Sequence, residues 1–339
     1  MTPAEFLKIF LVVLTYWFIS ISLVFANKFL VGNKSTNDVS IFVAWMQCII
    51  TVLCVLALRI GKSLLKKDWS YFKLSLEDSV RPQLLVLTCS YVGMLTFNNL
   101  CLRNVDVSFY QVARSLTLIF VVVFSLLILK KSVSWRVWLC CLTVASGFVL
   151  GVDQESLSGT LSRWGVIFGI ITSLFVSLNG IFTKRALDVI DRDSVQLTLI
   201  NNLNACILFL PFVAGTGQFA TVIRHSEFAQ FNFWAFLVAT GLLAFAISWI
   251  SAVQIDLTSP VTHHISANSK AVLQTIIAVL WNGEHKSLLW WLSVALVVGG
   301  ALAYALIRIS EELQEKKRHA DAGNSAMKQK FANGLLKPV

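Results

Sequence analysis

The chain has 339 residues, of which 56% are hydrophobic and 14% charged, with a mean hydropathy of +0.73 and a formal net charge of +10. An ordinary soluble domain carries about 25% charged residues, so this composition excludes a soluble enzyme and points to a chain held in lipid. The positive charge does not imply nucleic acid, because the Lys and Arg residues fall in short loops and a terminal segment rather than on a folded basic surface.

In chain order, apolar runs of roughly the 20 residues that a helix needs to cross a hydrocarbon core predict spans over 6–30, 39–60, 83–103, 107–129 and 133–152. A second set follows over 164–185, 195–215, 231–254, 259–281 and 288–308. The first run is too long for a signal-peptide core and lacks a cleavage site after it, so it reads as a retained span. The fold class is therefore all-α integral membrane, with about ten transmembrane helices. The seven cysteines lie in or beside these runs, where Cys acts as a small hydrophobe, and neither disulfides nor a metal site is expected. An even span count puts both termini on one side. Most of the Lys and Arg residues share that side, which makes it cytosolic by the positive-inside bias.

The halves resemble each other at an offset of about 155 residues. Val24-Phe25-Ala26-Asn27-Lys28 parallels Gly180-Ile181-Phe182-Thr183-Lys184, and Lys131-Ser132 with Trp135 parallels Lys286-Ser287 with Trp290. Five spans is an odd number, so duplication places the copies in opposite orientations, the construction of many secondary transporters. The expected division is 1–153 and 154–309 as two inverted five-helix repeats, with 310–339 a disordered cytosolic tail.

Two cations fall inside spans, Arg114 and Lys270, and they occupy equivalent places in the two halves. A charge at membrane depth costs about 2.5–3.5 kcal/mol and so faces a cavity or a partner. Gln111 and Ser115 share the face of Arg114, while His263, Ser266 and Gln274 share that of Lys270. No span is expected to carry an interior Asp or Glu, which leaves an external anion as the natural partner, phosphate in particular. Snorkelling to an interface is the other reading of both cations. Asn201 and Asn202, with Thr198, form a hydrogen-bonding face suited to a nucleobase edge or to helix–helix bonding. Tyr16, Ser20 and Asn27 line one face of the first span, and Tyr91 and Asn98 one face of the third, as sugar contacts or packing groups. His263 and His264 point about 100° apart and do not suggest metal. Asn33-Lys34-Ser35 fits a glycosylation acceptor.

These residues resemble the nucleotide-sugar transporters of the drug/metabolite transporter superfamily, and the GDP-fucose transporters among them, from Tyr16 to Tyr304. The resemblance is carried by Thr96-Phe97-Asn98-Asn99-Leu100-Cys101-Leu102, by Phe109-Tyr110 with Arg114-Ser115-Leu116-Thr117, and by Gly151-Val152-Asp153-Gln154-Glu155. Asn201-Asn202 with Asn204-Ala205-Cys206, and Thr258-Ser259-Pro260 with Thr262-His263, extend it. It implies a non-enzymatic Golgi antiporter, without cofactor or metal, that takes up GDP-fucose in exchange for GMP. Leu199-Ile200-Asn201-Asn202 stands where related carriers have a guanine-reading Phe-Tyr-Asn-Asn motif, with the amide pair kept and the aromatics lost. Ser266-Ala267-Asn268-Ser269-Lys270 stands where they have a phosphate-binding Gly-Ala-Leu-Asn-Lys motif. The implied contacts are thus Lys270, Asn201, Asn202, Arg114, Ser266, Asn268, Ser269, Thr262, His263, Tyr110, Tyr16, Asn27 and Asn98. Another nucleotide sugar such as GDP-mannose, or a membrane adaptor acting through its tail, is the alternative. Membrane lipid is the surrounding partner, and the sequence leaves monomer or homodimer open.

Overall fold

The computed structural model describes residues 3–31, 38–66, 80–128, 130, 133–190, 193–257, 260–283 and 285–332; Asn33 of the glycosylation pattern lies outside them. Among the described residues the chain forms α1 (Pro3–Val31), α2 (Ser40–Lys66), α3 (Pro82–Asn104), α4 (Val107–Arg114), α5 (Thr117–Leu127), α6 (Trp135–Leu157) and α7 (Arg163–Val189). These are followed by α8 (Ser194–Gly215), the short α9 (Gln218–Arg224), a 3-10 turn (Ser226–Ala229), α10 (Phe231–Leu257), α11 (Pro260–Asn282) and α12 (Leu288–Ala332).

Local chemistry sets many of the boundaries. Pro82 occupies the first turn of α3, where a missing N–H costs nothing. Asp193 Oδ1 accepts from Val195 N and Gln196 N at 2.9 and 3.0 Å to cap α8, and Ser162 Oγ accepts from Gly165 N at 3.1 Å to cap α7. The start of α2 is capped from a distance: Gln218 Oε1, on α9, accepts from Ile41 N and Phe42 N at 3.1 and 2.8 Å. Lys28 Nζ closes the far end of α3 by donating to Leu102 O and Val105 O at 2.8 and 2.6 Å.

Nine of the described helical stretches are long and apolar enough to cross a membrane, in keeping with about ten spans. α11 also has the length, 23 residues, but its hydropathy is lowered by the stripe that holds Lys270. Large apolar side chains point outward from the bundle, among them Phe18, Leu142, Trp164 and Trp281, while Ser173, Thr172, Ser108, Thr240 and Ser293 are fully buried. That reversal of the usual soluble pattern suits a hydrocarbon solvent.

The principal helix pairs are α3 with α7, α1 with α10, α6 with α12, α2 with α8, α2 with α10, α3 with α8, α5 with α7, α11 with α12, and α4 with α11. Small residues let these pairs close. A Cβ on Gly93 would meet the Phe175 ring at 2.6 Å, and one on Gly147 would meet Ser293 O at 2.9 Å. Phe97 and Phe175 stack beside the first contact, with centroids 5.6 Å apart.

Three expectations need correction. The fourth span is two helices rather than one, because the chain turns at Ser115 and Leu116 between α4 and α5. The segment from 310 does not leave helical structure; α12 runs on to Ala332, through a stretch rich in Glu, Lys, Gln and Ala, all good helix formers. The fifth span does not stop at 152, and its longer helix α6 carries Glu155 into a buried position, 3% exposed, where a cation compensates it.

Candidate functional site

The break after α4 puts Arg114 in that helix's last turn. Arg114 Nη1 donates to Tyr110 Oη, one turn earlier, at 2.8 Å, and the guanidinium carbon lies 5.3 Å from the Tyr110 ring centroid. Tyr110, 1% exposed, donates in turn to Asn98 Oδ1 on α3. The three expected residues therefore form one relay across two helices, with Arg114 half-buried at its end.

Lys270 reaches the same region from α11. Its Nζ donates to Ser20 Oγ on α1 at 2.6 Å, and one turn back Trp17 Nε1 donates to Ser266 Oγ at 2.8 Å. These two bonds stitch α1 to α11 along the polar stripe. Arg114 and Lys270 stand on helices that pack together, α4 and α11, and Tyr16, one turn before Ser20 on α1, is buried. Among the described residues neither cation is ion-paired. Two positive charges without a paired carboxylate among the described residues suit an anion. Ser269 is half-buried on the same helix, whereas the side chains of Thr262, His263 and Asn268 lie outside the described ones.

The amide pair stands apart from the cations, at the interface of α8 with α3. Asn201 Oδ1 accepts from Thr88 Oγ1 at 3.1 Å, and Asn202 Oδ1 accepts from Tyr91 Oη at 3.2 Å while its Nδ2 donates to Thr198 O at 2.8 Å. Tyr91 and Asn98 lie seven residues apart on one face of α3, about 10 Å along the helix axis. One stripe of α3 thus touches the amide pair at one end and the Arg114 relay at the other. Asn27 lies beside another helix, accepting from Gln47 Nε2 on α2 at 2.7 Å.

Sequence reasoning missed one cluster entirely. Lys286 Nζ meets Glu155 Oε1 at 2.6 Å, with side-chain exposures of 8% and 4%. Trp290 Nε1 donates to the same carboxylate oxygen at 2.8 Å, and Thr160 donates to the other. The ammonium sits 5.1 Å from the Trp290 ring centroid. The signal was present as Glu155 next to an apolar run and Lys286 just before another, but only the pairing of α6 with α12 joins them.

Comparison with known proteins places the chain among carriers. It is 43% identical to GDP-fucose transporter 1 of Nematostella vectensis over 93% of each chain, and 42% identical to GDP-fucose transporter 1 of Mus musculus over 95% of this chain and 90% of that one. The protein named GDP-fucose transporter, Golgi, of Drosophila melanogaster is 36% identical over 95% and 96% of the two chains. A solved crystal structure with 15% identity superposes with a TM-score of 0.54, covering 88% of this chain and 97% of its own, and shares the fold. Residues 7–305, which hold both cations, the Arg114 relay and the amide pair, match the Triose-phosphate Transporter family, and the chain belongs to that family.

Proposed function

We propose that this protein carries GDP-fucose from the cytosol into the Golgi lumen in exchange for GMP. The observation that carries the reading is that Arg114 and Lys270, one from each half, stand on two packed helices with no acid paired to either among the described residues. A diphosphate supplies the missing negative charge. Similarity to GDP-fucose transporters over nearly the whole chain supports the choice of cargo, and the Drosophila relative's name supports the compartment.

In this reading Arg114 and Lys270 hold the diphosphate. Asn201 and Asn202 read the guanine, exchanging their bonds with Thr88 and Tyr91 for bonds to the base. The stretch of about 10 Å along α3 between the two groups suits a nucleotide lying between them. Ser266 and Ser269 line the approach along α11, and Thr262, His263 and Asn268 stay candidate contacts from the sequence.

Two inverted repeats supply the motion. Exchanging α1, α2, α3, α4 with α5, and α6 for α7, α8, α10, α11 and α12 converts the pair α3–α7 into α10–α1 and the pair α2–α10 into α8–α3. It also returns α2–α8, α4–α11 and α6–α12 to themselves. A two-fold relation of this kind supports alternating access by rocking of one repeat against the other, with both termini cytosolic. With no titrating carboxylate paired to the cations among the described residues, nucleotide exchange rather than a proton gradient supplies the driving force in this reading.

Purified protein in liposomes preloaded with GMP tests the proposal. Labelled GDP-fucose is expected to enter, with GDP-mannose and UDP-galactose competing poorly, and Lys270→Ala should abolish most uptake. Uptake indifferent to internal GMP would remove the exchange, and preference for the uridine nucleotide would remove the cargo assignment.

A further inference from the structure

Asn27 and Asn98, two of the groups expected at a sugar, and Tyr110 beside Asn98 are already committed to neighbouring helices. Asn27 accepts from Gln47, Asn98 accepts from Tyr110, and the Tyr110 hydroxyl serves both Asn98 and Arg114. Two groups beside the cations are not committed. Gln274 follows Lys270 by one turn on α11, rotated from it by about 40°. It is 0% exposed, and both its Oε1 and its Nε2 lack a hydrogen-bond partner. Ser115, next to Arg114 at the end of α4, has a buried Oγ that is likewise unpartnered. α4 and α11 pack together, so one helix pair carries both cations and both orphan groups.

An amide buried without partners destabilises a fold, and a hydrocarbon surround offers no water to compensate it. A side chain such as Met fills a similar volume without that cost. The unmet needs also discriminate between ligands. Nε2 calls for an acceptor and Oε1 for a donor. A phosphate meets the first and leaves the second unmet, whereas adjacent sugar hydroxyls meet both.

We infer that Gln274, with Ser115 beside it, is the specificity-determining contact for the hydroxyl-bearing sugar of the nucleotide sugar, reached when the solute parts α4 from α11. The inference rests on the nucleotide-sugar reading above. It moves sugar recognition away from Tyr110, Asn98 and Asn27, which position the cation and the helices instead.

The test compares wild type with Gln274→Met and Gln274→Leu as full-length protein in lipid nanodiscs, measuring the unfolding temperature and the affinities for GMP and for GDP-fucose. Both variants are expected to unfold at or above the wild-type temperature, and the affinity for GDP-fucose should fall about tenfold relative to that for GMP, the loss of roughly one good hydrogen bond. A lowered unfolding temperature in the better folded variant would make Gln274 a structural group and overturn the inference. So would equal losses for the two nucleotides, or no loss for either. Wild-type protein that binds neither nucleotide would remove the transport reading itself, and this inference with it.

Discussion

Tyr110 shows how one hydroxyl organises the candidate site. It accepts from Arg114 and donates to Asn98 while 1% exposed, so its removal leaves a part-buried guanidinium N–H and a part-buried amide oxygen without their partner. Tyr110→Phe should lower stability by about 1–3 kcal/mol and, by releasing Arg114 from its rotamer, weaken GMP affinity several-fold. Thermal unfolding and nucleotide titration of the same preparation check both effects; unchanged affinity would mean that Arg114 does not depend on the relay. The two cations were legible in the sequence because a charge inside an apolar run has few bland explanations. The relay was half-legible: Tyr110 and Asn98 stood out as polar, but a helical pattern in one segment does not say which residue of another it will meet. For Asn201 and Asn202, sequence left base recognition and helix bonding as rival roles, and the contacts to Thr88 and Tyr91 supply the second without excluding an exchange of partners.

At the scale of elements, the pairing of α6 with α12 is locked by the Glu155–Lys286 ion pair and its Trp290 and Thr160 donors. Removing one partner strands a buried charge. Lys286→Met is expected to cost about 3–5 kcal/mol, and the double variant Lys286→Met with Glu155→Leu should recover most of it; unfolding in detergent measures both. Span positions were read well from apolar runs because membrane thickness fixes their length. The interruption of the fourth span was not, since Ser115 and Leu116 are not helix breakers. Local bonding competes there for the backbone carbonyls: Thr117 Oγ1 donates to Arg114 O at 2.8 Å, and Leu118 N turns to Ser115 O at 3.3 Å, three residues back in each case. Glu155 was misread for a related reason, because the apolar run ends before the helix does.

Across the whole molecule, the proposed repeat is supported by two independent signs, the weak sequence echoes at an offset of about 155 residues and the helix pairs that map onto one another under exchange of the two halves. The terminal segment lies outside that scheme, although α12 extends to Ala332. Deleting residues 312–339 should leave exchange in the liposome assay within about twofold of wild type, because no ligand group or repeat contact is assigned there; loss of uptake would favour the adaptor alternative. The break in the fourth span has a further consequence for how the protein tolerates two cations at membrane depth. Ending α4 at Arg114 brings the carboxyl pole of a helix dipole, equivalent to roughly half a negative charge, to the guanidinium, so that cation is partly compensated by backbone alone. Lys270 lies in the middle of the unbroken α11, far from either pole, with a neutral serine hydroxyl as its bonded neighbour. The pair is therefore unequal: part of the charge of Arg114 is offset by a helix end before any solute arrives, and Lys270 gains the more from an incoming anion.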